Sequence, residues 1–188
     1  GCWGPGGAAA APDNSLYIAT GNATTADNNY WAGIPSGQHP GDIGDYFIAV
    51  VRLGVAWMGY SGHLAVLDWY QPTDARTLND QDLDLGSSSC LILPDIGGMQ
   101  LLVLSAKDSI YLLNRSNLGH WGGELWRNNV FGGESHSAPA YYHTPAGDHY
   151  VYFSGGDMPG LICYKVVVSS GTATLQEVWR ASGTGLAF

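Results

Sequence analysis

Residues Leu78 to Arg115 read LNDQDLDLGSSSCLILPDIGGMQLLVLSAKDSIYLLNR, and this stretch decides the fold. Its second half contains two runs of branched and large apolar residues, Gln100 to Ser105 (QLLVLS) and Ser109 to Asn114 (SIYLLN). Runs of this length and composition are typical of β-strands. Lys107 lies in the short turn between them, so the stretch predicts a β-hairpin with a lysine at its turn.

The same order of runs occurs three times along the chain. A run that carries a tryptophan follows each pair of apolar runs: Leu64 to Tyr70 (LAVLDWY), Glu124 to Arg127 (ELWR) and Glu177 to Arg180 (EVWR). The last two share the pattern E-x-W-R with a spacing of 53 residues, from position 124 to position 177. A run of small residues before each pair completes four strands per unit.

Three units of four short antiparallel strands are typical of β-propeller blades. The sequence therefore predicts an all-β fold, an arc of three four-stranded blades at residues 4–71, 85–128 and 136–180, with residues 181–188 beginning the next blade. Propellers usually close with about four to eight blades, so we expect residues 1–188 to be a partial propeller domain, an internal piece of a longer protein. Such an arc leaves two blade faces exposed, and we expect the remaining blades or another protomer to cover them.

Two segments interrupt the repeat. Thr24 to Gly44 is a polar loop rich in Asn, Gly and Pro, and loops of this length are commonly functional. Gly54 to His63 (GVAWMGYSGH) is apolar but broken by glycines. We interpret the second segment as an insertion at a blade edge, with Trp57 and Met58 packed against the protein.

The charge of the chain argues against several classes of partner. Sixteen acidic and seven basic residues give a formal net charge of −9. The basic residues form no cluster, which argues against a nucleic-acid or anionic-membrane surface. No apolar run approaches the roughly 20 residues of a membrane span. Two sequons, at Asn22 and Asn114, lean towards export, so we expect a secreted or periplasmic location.

Two carboxylates one residue apart, Asp82 and Asp84, precede the first apolar run and lead into a Gly-Ser hinge. In an extended segment the side chains of residues i and i+2 point the same way, so both carboxylates would lie on one side. That arrangement suits a hard cation, or a cation beside a proton acceptor. The alternative is a pair of solvated turn residues, with Asp82 closing an Asx turn.

Five short motifs follow one another in order: Trp3-Gly4, Thr20-Gly21-Asn22, the string DLDLGSS from Asp82, the turn lysine Lys107, and IYLLNR from Ile110. This ordered set resembles the quinoprotein alcohol dehydrogenases, β-propellers that carry pyrroloquinoline quinone over the propeller axis. It is also similar to secreted quinoprotein-like repeat proteins. The resemblance implies oxidation of an alcohol or sugar that depends on pyrroloquinoline quinone, with a cytochrome or another carrier as electron acceptor.

The resemblance also implies a role for individual residues. Trp3 corresponds to the indole that stacks under the quinone ring, and Lys107 to the basic residue that hydrogen-bonds the quinone oxygens. Asn22 corresponds to the amide that ligates the calcium or lanthanide ion. Asp82 corresponds to the carboxylate base that takes the alcohol proton, and Asp84 to the extra carboxylate that accompanies a lanthanide. We expect these five side chains to gather at one mouth of the propeller channel.

Other interpretations of these residues stay open at this point. Trp3 is equally suited to packing between sheets, Asn22 to a left-handed turn, and Lys107 to a solvated hairpin turn. A propeller without a cofactor would instead be a non-catalytic scaffold for protein or glycan contact. A sugar-binding propeller is suggested only by Tyr30 and Trp31 in the long loop.

Overall fold

The structure is a computed structural model that describes residues 2, 4–22, 46–58, 60–129, 135–155 and 160–181. Within these residues, thirteen β-strands, one α-helix and one 3-10 helix follow one another. In chain order they are β1 (Ala9–Ala10), β2 (Leu16–Ala19), β3 (Val50–Met58), β4 (Ser61–Gln71), α1 (Ala75–Asp80), the 3-10 helix (Leu85–Ser87), β5 (Leu91–Ile92), β6 (Leu101–Ser105), β7 (Ser109–Asn114), β8 (His120–Trp121), β9 (Trp126–Asn129), β10 (Ala140–His143), β11 (His149–Ser154), β12 (Leu161–Ser169) and β13 (Thr172–Arg180). Trp3, the loop with Tyr30 and Trp31, and residues 182–188 lie outside the described residues.

The strands form three sheets, and apart from β8 each sheet is built from strands that are close in sequence. The first contains β1, β2, β3 and β4 as an antiparallel meander, and β8 adds a short parallel pairing to β4. The second contains β5, β6, β7 and β9, and the third contains β10, β11, β12 and β13, all antiparallel. In the second sheet Leu101 pairs with Asn114 and Ser105 with Ile110, which confirms the predicted hairpin around Lys107.

The second sheet is covered on both faces. One face packs on the first sheet, and this core contains Tyr17, Val50, Tyr70, Leu102, Leu104, Tyr111 and Leu113. The other face packs on the third sheet, and that core contains Leu101, Val103, Ile110, Leu112, Val151, Phe153, Ile162 and Tyr164. Strands buried on both faces are apolar at every position rather than at alternate ones, which explains the unbroken runs LLVL and IYLL.

The mostly-β class predicted from the sequence is confirmed, with three sheets of which two are four-stranded and antiparallel. A closed ring or a propeller arrangement of the sheets is not seen in the described part of the chain. The helix α1, which lies between β4 and β5 in the chain, was not predicted from the sequence. Among the described residues no helix has the length and apolar character that a membrane crossing needs.

The interpretation of Gly54 to His63 as an insertion is wrong, because these residues continue β3 and β4 as one long hairpin. A register shift after Arg52 leaves Leu67 without a partner of its own, and this side chain lies over Gly54. A Cβ at position 54 would come within 2.4 Å of the Leu67 side chain, so the glycine makes room for it. Trp57 does not pack as expected, since 71% of it is exposed.

Large apolar side chains are exposed in two places. The β3–β4 hairpin exposes Val55, Trp57, Tyr60, Leu64, Val66 and Leu67, and the third sheet exposes Tyr142, Val178 and Trp179. On the hairpin, Val55 lies directly opposite Leu64, so the two side chains share one face. Exposed apolar patches of this kind commonly mark contact surfaces.

Candidate functional site

Asp82 is placed by the end of α1. The N–H of Leu83 donates to the carbonyl of Leu78 (2.8 Å), and the N–H of Asp82 donates to the carbonyl of Asn79 (3.3 Å). These two bonds are the Schellman motif, in which the residue after the helix takes a left-handed conformation. Asp82 occupies that position with φ 60°. The expected extended geometry of the Asp82–Asp84 segment is therefore wrong, because Asp82 has a left-handed backbone.

The left-handed backbone of Asp82 leads to a prediction about the stability of variants at this position. We expect Asp82→Ala to lower the free energy of unfolding by about 1 kcal/mol more than Asp82→Gly. Both substitutions remove the same carboxylate contacts, and only the alanine adds a Cβ penalty at positive φ. Urea unfolding of the two variants measures the difference. A glycine variant less stable than the alanine variant would show that position 82 is not held in this conformation.

Asp84 lies two residues further on, at the start of the 3-10 helix, and only 4% of it is exposed. Its Oδ1 accepts the backbone N–H of Asn22 at 2.8 Å. Gly86, in the same helix, donates its N–H to the carbonyl of Thr20 at 3.0 Å. A Cβ on Gly86 would come within 2.7 Å of the backbone N of Gly21, so only glycine allows the two chain segments to approach this closely.

Lys107 projects from the β6–β7 turn and connects the two carboxylates. Its Nζ donates to Asp82 Oδ2 at 2.8 Å and lies 3.2 Å from Asp84 Oδ2. Burial disfavours the charged ammonium, but the hydrogen bonds to Asp82 and Asp84 and the two negative charges outweigh it. The pKa of Lys107 is therefore raised above its ordinary value, and the site holds a fixed positive charge.

Asn22 completes the cluster from the end of the first sheet. Its side-chain Nδ2 donates to Asp82 Oδ1 at 2.7 Å, and its backbone N–H is bound by Asp84 as described. Four of the five residues singled out from the sequence, Asn22, Asp82, Asp84 and Lys107, therefore contact one another. The fifth, Trp3, lies outside the described residues.

The burial of these residues bears on one alternative that the sequence left open, namely that they are solvated turn residues. Lys107 is 5% exposed and Asp84 is 4% exposed, so neither is a solvated turn residue. The side chain of Asp82, by contrast, is 71% exposed. The cluster thus has one buried carboxylate that holds the lysine and one exposed carboxylate that faces solvent.

Ser87, Ser88 and Ser89, which follow Asp84, make structural hydrogen bonds. The sequence predicted a hinge at this point, so these contacts were not expected. Ser87 donates to the carbonyl of Ser135 (2.9 Å), Ser88 donates to the carbonyl of Ser137 (2.8 Å), and Ser89 accepts the N–H of Gly6 (2.6 Å). All three serines are buried. Their hydrogen bonds join the segments that precede the three sheets to one another beside the cluster. This stretch is therefore a junction between the sheets rather than a hinge. The signal available in the sequence was three consecutive small hydroxyl residues beside the paired acids.

The resemblance implies a calcium or lanthanide ion, and the clustered side chains include some of the groups that would hold one. Two carboxylates and one amide lie together, and carboxylate and amide oxygens are the donors that hard cations prefer. In this structure the amide nitrogen of Asn22, rather than its oxygen, faces Asp82. The Lys107 ammonium already lies between the carboxylates, which shows that the geometry there accommodates positive charge. In the described residues no three His, Cys, Asp or Glu side chains come together as metal ligands. Ca²⁺ takes about six to eight oxygens, so these residues could supply only part of a coordination shell.

A cavity of about 150 Å³ lies beside β1 and β2 of the first sheet and is lined in part by Cys2, Ile18 and Ser88. Ligand pockets typically measure about 300–1,000 Å³, so this cavity is too small to enclose a cofactor of that size. None of the four clustered residues lines it. The cluster is therefore separate from this cavity.

Comparison with protein-family models, with curated proteins and with solved structures finds no match to this chain. The likeness of its motifs to quinoproteins stays a resemblance for that reason. Functional conclusions rest on the geometry of the cluster.

Proposed function

We propose that Asn22, Asp82, Asp84 and Lys107 form part of the active site of a quinone-dependent oxidoreductase that acts on alcohols or sugars. The observation that carries this proposal is the buried lysine held between two carboxylates, one of them largely exposed. An exposed carboxylate can accept the proton of a hydroxyl group, and a positive charge beside it stabilises the negative charge that develops on the substrate oxygen.

Each residue of the cluster has a distinct task in the proposed site. Asp82 accepts the hydroxyl proton of the substrate, since its carboxylate is exposed. Lys107 stabilises negative charge that develops beside it, and Asp84 holds the lysine in place. Asn22 and the two carboxylates are the residues that would hold Ca²⁺ or a lanthanide. Pyrroloquinoline quinone, when bound, supplies the hydride-accepting chemistry, and Trp3 is the proposed platform for its ring.

We propose that the three sheets are blades of a larger β-propeller. In support, the sheets follow one another in the chain and successive sheets share a core. The segments that precede the second and third sheets are also joined on one side, where Ser87 and Ser88 donate hydrogen bonds to the carbonyls of Ser135 and Ser137. Propeller blades surround a central channel, and in the proposed arrangement this side would face it.

The proposed partners follow from the exposed surfaces. The apolar residues of the β3–β4 hairpin and of the third sheet are suited to contact with further blades or with another protomer. A cytochrome or a similar carrier is the proposed electron acceptor, and a secreted or periplasmic location stays a prediction.

The proposal is tested by adding pyrroloquinoline quinone with Ca²⁺ or La³⁺ to the purified protein and measuring dye reduction with primary alcohols and sugars. We expect Asp82→Asn to lower the rate about 100-fold, because the variant keeps the shape of the side chain but loses the base. The control is Asp148→Asn, which removes a similar acid–lysine pair, Asp148 with Lys165 at 2.6 Å, in the third sheet. No quinone binding and no dye reduction by the wild-type protein would overturn the proposal.

One observation favours a second function, a non-catalytic scaffold. Exposed Trp57, Tyr60 and Leu64 lie on a hairpin whose segment 54–67 has no Asp, Glu, Lys or Arg, as in a contact surface. The scaffold predicts that the protein binds no quinone and that Asp82 substitutions leave partner binding unchanged. The cofactor experiment separates the two functions.

A further inference from the structure

The structure holds two copies of one side-chain set that differ in how they pair. Tyr111 and Arg127 lie on strands of the second sheet, and Glu124 precedes β9. All three recur 53 residues later as Tyr164, Glu177 and Arg180 on strands of the third sheet. The recurrence extends the E-x-W-R pattern to a tyrosine on the neighbouring strand. Equivalent residues in successive sheets are expected to make equivalent contacts.

In the third sheet, the arginine pairs with the glutamate of its own strand. Arg180 Nε donates to Glu177 Oε1 at 3.1 Å, and Arg180 Nη2 donates to Glu177 Oε2 at 2.8 Å. This contact is the bidentate geometry in which guanidinium and carboxylate groups pair most strongly. It defines the in-strand arrangement of the pattern.

In the second sheet, Arg127 pairs with an aspartate outside its own strand. Arg127 Nη1 donates to Asp74 Oδ1 at 2.6 Å, and Nη2 lies 4.0 Å from Asp108 Oδ2. Arg127 Nε is buried without a hydrogen-bond partner, although the equivalent Nε of Arg180 pairs with Glu177 in the third sheet. Leaving buried polar atoms unsatisfied is costly, so the contact to Asp74 must offset the loss.

Asp74 is the residue immediately before α1. Its side chain makes no capping bond to the helix, although Asp in this position commonly does. With only six residues, α1 is too short to be stable alone and depends on tertiary contacts. Leu78 supplies an apolar contact in the core, and Arg127 supplies a polar one at the helix start.

The same short helix positions the exposed carboxylate of the cluster. Asp82 follows α1 by two residues and takes its left-handed conformation from the Schellman bonds at the helix end. A shift of the helix start is therefore transmitted to Asp82 and to its contact with Lys107.

We infer that Arg127 is a positioning residue, which holds the start of α1 through Asp74 and thereby sets the place of Asp82; its role in catalysis rests on the proposed function. Glu124 is the equivalent of Glu177, but Arg127 pairs with Asp74 instead. Neither residue contacts the four clustered residues. Arg127 contacts the start of α1 through Asp74 at 2.6 Å, and it lies 4.0 Å from Asp108, the neighbour of Lys107 in the β6–β7 turn, so the closer contact is the one through α1.

Hydrogen exchange tests this inference without reference to activity. In Arg127→Gln, the amides of Leu78, Gln81 and Leu83, which make the bonds of α1, are expected to exchange about tenfold faster. The matched control is Arg180→Gln, which removes the equivalent guanidinium and should leave exchange in α1 unchanged. Unchanged exchange of these three amides in Arg127→Gln would overturn the inference.

A second variant covers the case in which Arg127→Gln does not fold. Asp74→Asn keeps the arginine and alters only a side chain that is 42% exposed, and it should speed exchange of the same amides. Exchange that stays as slow as in the wild-type protein would contradict the role of this contact.

Lanthanide binding then connects α1 to the cluster. The affinity for Tb³⁺, followed by luminescence, should fall about tenfold in Arg127→Gln, remain in Arg180→Gln and be largely retained in Arg127→Lys. If the wild-type protein binds no Tb³⁺, the proposed metal site is wrong, and hydrogen exchange still decides the role of Arg127. If Tb³⁺ binds equally to all four proteins, Arg127 does not position the cluster.

Discussion

Asp84→Ala is expected to lower the free energy of unfolding by about 3 kcal/mol, because it leaves the buried Lys107 ammonium without its buried partner. The substitution also removes the acceptor for the N–H of Asn22. For a chain of this size such a loss lowers the melting temperature by about 6–12 °C. Urea unfolding measures the free energy, and calorimetry measures the melting temperature.

The control for this prediction is Asp82→Asn. Asp82 contacts the same lysine, but its side chain is 71% exposed, and exposed ion pairs contribute less than about 1 kcal/mol. Asparagine also tolerates the left-handed backbone at this position. Equal destabilisation by the two variants would show that the buried and exposed carboxylates do not have the separate tasks assigned to them.

Leu104→Ala and Leu112→Ala are each expected to lower the free energy of unfolding by about 3 kcal/mol. Both side chains are fully buried, and they lie on opposite faces of the second sheet. Each substitution leaves a cavity between two sheets, which costs more than the lost transfer free energy alone. The free energy of unfolding in urea measures both effects.

The matched variant for this pair is Leu64→Ala in the β3–β4 hairpin, where the leucine is 60% exposed. It should change the free energy of unfolding by no more than about 0.5 kcal/mol. If one of the two core substitutions proved as mild as Leu64→Ala, the second sheet would have a solvated face, and the stack of three sheets would be wrong.

The contrast between the strands and α1 shows where sequence patterns are informative. The runs QLLVLS and SIYLLN have one composition along their whole length, and the structure buries them on both faces as strands. The segment that forms α1, Ala75 to Asp80, has six residues of which only two are buried, so it carries no helical period that could be recognised. Its conformation comes from Leu78 in the core and from Arg127 in another sheet.

The β3–β4 hairpin is a case in which local pattern misled. Glycines at 54, 59 and 62 suggested a break, whereas the strands continue through Gly54 because Leu67 occupies the space over it. A cross-strand contact of this kind depends on the register of the pairing. Register is set by the whole hairpin, and no single segment contains it.

By itself, the sequence determined the β class and the choice of residues for a candidate site, because strand composition and short motifs are local properties of the chain. Only the tertiary structure decided that Asn22, Asp82, Asp84 and Lys107 meet, and that Asp84 is buried while Asp82 is exposed. The contact from Asn22 to Asp84 spans 62 positions, and Lys107 reaches Asp82 across 25. Burial depends on what such distant segments place over a side chain, and this is the physical reason why two aspartates one residue apart have different environments.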